Sequence, residues 1–243
     1  MKDFLKKGLA FTLAETLVVM GIIGVVAALT IPNLNQATGE KERVARVKKM
    51  YATLEDALGR TTAIYGQLED WSTENKHANI LSDRMVDFLK TVNSTTSNAA
   101  IQNTFFKDGK VYKYNTTSTQ YKAFGTNSAA FLTADGSSVG IIEDGTNFTV
   151  FVDIDGPNKG TGTLGSDVFQ FYLKSVNHYT LTPAGRYSTV GTDTGFGYTL
   201  SVDDCITNSN CTAWVIDHGN ADYEKVNNTT KNSLNDSSPT YKK

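Results

Sequence analysis

The sequence predicts an α+β protein, a long N-terminal helix followed by a small antiparallel sheet. Three observations carry that prediction. An apolar run, Phe11 to Ile31, comes first; a stripe of apolar residues at helical spacing comes second; beyond about Phe105 apolar and polar residues alternate. The 243 residues are enough for one or two domains with a sizeable core.

Composition narrows the function. A formal net charge of −2, with 20 % charged residues, shows no polybasic character, and no nucleic-acid partner is evident. His77, His178 and His218 are scattered, without the spacing of a zinc site. No nucleophile elbow, phosphate loop or dinucleotide fingerprint occurs. We therefore expect no catalytic residues and no enzyme.

The first forty residues are the most informative. Lys2, Lys6 and Lys7 open the chain against Asp3 alone. The 21 residues from Phe11 to Ile31 hold one charge, Glu15. As a helix they would reach roughly 31 Å, close to the roughly 30 Å hydrocarbon core of a bilayer. Basic residues before the run place its start in the cytoplasm and export the chain beyond it. Three readings fit such a segment: a plain anchor, a secretory signal cut near Val25-Val26-Ala27 or Val26-Ala27-Ala28, or a helix for which Glu15 is essential. An ionisable group costs roughly 2.5–3.5 kcal/mol at a membrane helix centre, and less near an end. Neither of the first two readings has a use for it.

Gly8-Leu9-Ala10, then Phe11-Thr12-Leu13-Ala14-Glu15 and a long apolar helix, resembles the N-terminus of type IV prepilins and type II secretion pseudopilins. The resemblance covers about the first 60 residues and implies a leader of residues 1–10. Prepilin peptidase would cut between Ala10 and Phe11, and the Phe11 amine would be methylated. Ala10 stands where the family usually has Gly, with Gly8 two places earlier. Glu15 and Pro32 then fall where members carry their assembly glutamate and a helix-perturbing proline. A buried carboxylate and a buried ammonium are each costly alone, so Glu15 would pair with the Phe11 amine of a neighbouring subunit. Gly21, Gly24 and Ala27-Ala28 would allow close helix approach.

The resemblance implies a structural subunit of a type II secretion pseudopilus or type IV pilus. Its partners would be other subunits, the peptidase and a membrane assembly platform. It would lie in the bacterial cytoplasmic membrane with its head exported, and later in an extracytoplasmic filament. The alternative is a membrane-anchored exported binding protein or enzyme that assembles nothing.

Beyond Pro32 and Gly39, which weaken the local helix, the apolar residues Val44, Val47, Tyr51, Leu54, Leu58 and Tyr65 recur mostly at intervals of three and four. The helix is thus expected over 11–66, membrane-spanning to 31, with its second half under the sheet. Residues 67–226 form the β-rich head. Within it Leu81, Met85, Phe88 and Leu89 read as a short helix, and 93–100 as a polar loop. Asp108-Gly109 reads as a hairpin turn inside Phe105–Tyr114, and Ala129–Asp153 as a three-strand meander turning at Asp135-Gly136 and Asp144-Gly145. Phe148, Val150, Val152 and Ile154 alternate, giving one buried face. Phe169, Phe171 and Leu173 make another strand, Trp214-Val215-Ile216 a last one, and 227–243 a polar flexible tail.

Two features of the head are candidate sites. Asp153 and Asp155 leave a strand on the same side and Asp167 returns after a Gly/Pro/Asn loop. Three carboxylates are suitable hard-oxygen ligands for Ca²⁺, which makes it the one candidate cofactor; none is required by the sequence. An EF-hand does not fit, because Gly156 comes early and no Glu closes the loop; turn chemistry without an ion is the alternative. Major pseudopilins carry a calcium loop in this general part of their heads, and the resemblance to that motif is loose. Cys205 and Cys211 enclose a polar loop on the exported side, where a nearby pair is expected to be oxidised. Two buried free thiols are the alternative, and the resemblance favours the bridge, since pilins often close a loop near the C-terminus.

Overall fold

The computed structural model describes residues 12–71, 77–96, 98–101, 104–114, 119–125, 127–145, 147–175, 178–185, 205 and 211–225. The tail expected over 227–243 lies outside them. Helix α1 spans Leu13–Tyr65, and its backbone stays helical through Pro32 and Gly39, so the weakening expected there does not break it. The chain divides into two compact units, Met1–Glu42 and Arg43–Lys243.

In the first unit, the apolar residues of α1 point into solvent: Leu17 is 62 % and Ile23 61 % exposed. Leu13–Ile31 is long and apolar enough to cross a membrane, a property that signal sequences share. Nothing described in this unit buries it.

The second unit is α+β. After α1 and a 3₁₀ turn at Leu68–Asp70 come α2 (Ala78–Val86), β1 (Thr91–Thr95) and α3 (Asn98–Ile101). A second 3₁₀ turn, Lys107–Gly109, leads to β2 (Lys110–Tyr112) and β3 (Gln120–Ala123). The main strands are β4 (Ser128–Thr133), β5 (Ser138–Asp144), β6 (Asn147–Asp153), β7 (Val168–Ser175) and β8 (Tyr179–Pro183). Helix α4 (Thr212–His218) and a 3₁₀ turn at Asp222–Lys225 come last. The main sheet has order β1-β4-β5-β6-β7-β8 and every pairing in it is antiparallel. β2 and β3 form a separate antiparallel ribbon.

The C-terminal part of α1 covers one face. Val44, Val47, Met50, Leu54, Ala57 and Leu58 are buried in one cluster with Phe131, Ile141, Phe148, Val150 and Phe171. Tyr51 stacks on Phe171 with ring centroids 5.6 Å apart. The expected stripe is therefore right except at its end, where Tyr65 is 40 % exposed.

The sheet is buried on both faces, not one. Phe151, Ala130, Ile142 and Val168 point the other way, into a second cluster with Ile101, Phe105, Phe106, Val111 and Phe124. α3 and the β2–β3 ribbon supply that layer. Gly140 admits it: a Cβ there would lie 2.3 Å from the Phe124 ring and 2.7 Å from that of Phe106. The missing side chain is what lets two aromatic rings rest directly on the strand.

Three local expectations are corrected. Residues 93–95 belong to an edge strand, β1, whose polar exposed residues suit an unpaired edge. Asp108-Gly109 closes a 3₁₀ turn and no hairpin, because β2 takes β3 as its partner. Trp214-Val215-Ile216 lies in α4; Trp214 and Val215 are buried by helix packing, which a run of three apolar residues does not distinguish from a strand.

Candidate functional site

The head of the apolar helix is built from Thr12 and Glu15. The Thr12 backbone N–H and hydroxyl donate to Glu15 Oε2 at 2.9 and 3.0 Å, and the Glu15 N–H donates to Thr12 Oγ1 at 3.3 Å. This reciprocal pattern is a capping box, which satisfies two of the N–H groups that a helix start leaves without partners. Sequence reasoning picks out Glu15 as a lone charge and passes over Thr12, although Thr-x-x-Glu is the spacing of that motif. Glu15 thus has a partner inside its own chain. Ala10 and Phe11 lie outside the described residues, as does the side chain of Pro32.

A second arrangement, unforeseen from sequence, ties α1 to the loops at one end of the sheet. Arg43, Arg46 and Lys49 lie three apart on one helix face. Arg43 pairs with Glu224 and donates to the Ser166 carbonyl at 3.2 Å. Arg46 donates to the Ile154 carbonyl at 3.3 Å and meets Asp155 at 3.4 Å, and Lys49 meets Asp135 at 2.7 Å. Burial would raise the Asp135 pKa, but Lys49, the Thr133 hydroxyl and the Ser137 N–H together hold it down at about 2.

The acidic loop does not gather its carboxylates. Asp167 is consumed by its own loop: Gly162 N–H and Thr163 N–H donate to it at 2.8 and 2.7 Å, and Thr161 N–H also does so. Asp153 Oδ1 accepts from Asp155 N–H at 3.1 Å and Gly156 N–H at 2.9 Å. Asp155 turns outward to Arg46. Among the described residues no group of three or more His, Cys, Asp or Glu side chains is placed to hold a metal. In this arrangement backbone N–H groups and Arg46 occupy most of the oxygens with which Asp153, Asp155 and Asp167 would hold Ca²⁺. One oxygen is left over: Asp153 Oδ2 is buried without a hydrogen bond. Burial first, then the charge of Asp167, pushes the Asp153 pKa up to about 7 against the two N–H donors.

Gly160 belongs to the same loop. Its φ is +69°, and a Cβ would fall 2.0 Å from Asp167 Oδ2. Only glycine lets the chain turn this closely around a carboxylate.

Cys205 and Cys211 are joined in a disulfide with Cα atoms 4.3 Å apart, and both are buried in the main cluster. A cleft of about 400 Å³ opens at the other end of the strands, beside His77 and Glu143. No family model matches this chain, and neither a curated protein nor a solved structure is similar enough to it to match.

Proposed function

We propose that the chain is a structural, non-catalytic subunit of an extracytoplasmic filament, a type II secretion pseudopilus or type IV pilus. It would be held in the membrane by Leu13–Ile31 and cut between Ala10 and Phe11 before assembly. The observation that carries this reading is the apolar helix itself: 19 residues with Glu15 as their one charge, exposed around the helix. Apolar surface on every side demands apolar surroundings on every side, which lipid supplies before assembly and neighbouring helices supply after it.

The capping box gives Glu15 a place while the subunit is alone. In a filament the freed Phe11 amine of a neighbour is the stronger partner, since a charged pair avoids the cost of two isolated buried charges. The head would then face outward, with the disulfide and the two-faced core keeping it folded outside the cell.

N-terminal sequencing of the membrane-extracted protein tests the reading. A start at Phe11 is expected; a start near Ala28 or Leu29 means a secretory signal and overturns it. Replacing Glu15 by Val should leave membrane insertion intact and abolish filament incorporation in a complementation assay. Full assembly of the variant would overturn the pairing of Glu15 with a neighbour's Phe11 amine.

A further inference from the structure

The cleft beside His77 lies at one corner of the main sheet, where β1, β4 and β5 run side by side. Its walls come from His77 and Asn79 at the start of α2, Thr96 after β1, Asn127 and Ser128 at the start of β4, and Glu143 near the end of β5. The backbone fixes the arrangement. Glu143 N–H donates to the Asn127 carbonyl at 3.0 Å, and the His77 carbonyl accepts from Leu81 N–H at 3.0 Å. His77 Nδ1 lies 3.0 Å from Glu143 Oε2, and the Glu143 side chain is only 14 % exposed.

From this geometry we infer that the cleft is a binding site for one neutral saccharide unit. Among the described residues, the walls carry hydrogen-bonding side chains and a single apolar one, the methyl of Ala78. Among the described residues, the side chains of Asn79, Thr96 and Asn127 make no hydrogen bond within the molecule. Ser128 Oγ accepts from Gly125 N–H at 3.0 Å, so its own proton is left to donate. Donors and acceptors are therefore mixed around one space, which suits hydroxyl groups, each of which both donates and accepts.

Charge separates this ligand from the others. The Glu143 carboxylate in the wall repels anions, and His77 Nδ1 takes one of its two oxygens, Oε2 at 3.0 Å, which leaves a cation a single carboxylate oxygen there. No third His, Cys, Asp or Glu is placed to complete a metal site among the described residues. An apolar ligand would leave the amide and hydroxyl groups without partners. The volume of about 400 Å³ falls within the range of about 300–1,000 Å³ typical of small-molecule sites. With no aromatic side chain among the described wall residues to stack on, binding is weak, with a Kd on the order of 1–10 mM.

The test uses the full-length chain in a detergent without a sugar headgroup. D-glucose, D-galactose and N-acetyl-D-glucosamine are each titrated to about 100 mM, well above that Kd, while the histidine Cε1–H resonances are followed by NMR. The chain has three histidines, and His178, paired with Glu69 on the surface, serves as the internal control. With at least one sugar His77 should shift saturably while His178 stays still. Asn127→Ala, and independently Asn79→Ala, should weaken binding about tenfold with no change in the far-ultraviolet circular dichroism. No saturable shift, an equal shift at His178, or an affinity indifferent to both variants overturns the inference. A His77 response to calcium chloride or inorganic phosphate in place of the sugars also overturns it, since the cleft would then be an ion site. Filament assembly does not enter this experiment, so its outcome is separate from that of the proposed function.

Discussion

The two halves of α1 are the same helix by backbone and opposites by burial. Every Leu, Ile, Val and Met side chain from Leu17 to Ile31 is at least half exposed, Val19 the least at 51 %; Leu54 and Ala57 in the second half are fully buried. The difference lies in the pattern of apolar residues. In the second half they form one stripe, which a single sheet face covers, and charged residues fill the remainder. In the first half they run around the whole circumference, and no one-sided contact satisfies them. A helix of that kind is finished by its surroundings, and its chemistry is legible only as a demand for them.

The largest effect that tests this contrast is a cavity. Leu54→Ala should destabilise the head by about 2–5 kcal/mol, because the deleted atoms lie in a packed cluster. Leu17→Ala should change the same unfolding free energy by less than about 0.5 kcal/mol in detergent. Chemical denaturation with tryptophan fluorescence as the probe measures both, since Trp71 and Trp214 lie in the head cluster. Equal effects would mean that the first half contributes to the folded head, and the contrast between halves would fail.

Legibility in the sequence divides along the same line. Regular periodicity reveals α1, its buried stripe and the β4–β6 meander, because each is a repeated pattern read against one face. The second layer is not legible. Phe106 and Phe124 reach the sheet from a 3₁₀ turn and a strand end, positions without periodicity, and Gly140 admits them by the absence of a side chain. α4 reads as a strand because three apolar residues are too few to show a period. At the candidate site, Glu15 stands out as a lone charge, but Thr12 and the Arg43–Arg46–Lys49 row do not. Their meaning depends on the groups opposite them, which for the basic row belong to separate loops.

A buried carboxyl in the head offers the next test. Asp153 has an ordinary pKa of 3.8 when unfolded and about 7 when folded, so the folded head binds the extra proton between those values. Its contribution to stability is fully present below about pH 4 and is lost as pH rises to about 7, an effect on the order of 4 kcal/mol. Asp153→Asn keeps an oxygen for the Asp155 and Gly156 N–H groups and carries no charge. Its unfolding free energy should be flat across that window, and at pH 7 no lower than that of the parent. A variant whose pH profile matches the parent would remove Asp153 as the cause.

The disulfide comes third. Cys205 and Cys211 close a short ring, and replacing both by Ala should cost about 2–3 kcal/mol through the larger freedom of the unfolded chain. Reductant should lower the parent's stability by the same amount and leave the variant unmoved. The apolar half of α1 should be indifferent to either treatment, so on the proposed function retention in the membrane fraction should not change. Loss of that retention on reduction would tie the two units together more closely than their burial implies.

The smallest effect concerns the basic row on α1. Lys49 is 64 % exposed and Asp135 36 %, so water screens their pairing, and Lys49→Met should cost less than about 1 kcal/mol at pH 7. The informative readout is the acid side. Asp135 titrates at about 2 when folded and at its ordinary 3.8 when unfolded, so its contribution is present above about pH 4 and lost as pH falls through 2. Removing Lys49 deletes the main group that opposes burial, while Thr133 and Ser137 remain. The folded pKa should then rise towards the unfolded value, and the acid-side loss of stability should shrink. Thr133→Val removes a different donor and should act in the same direction without altering the surface of α1. If neither variant changes the slope between pH 4 and 2, the loop end of the sheet is held to the helix by packing alone, and the charged row is only the solvent face that its exposure suggests.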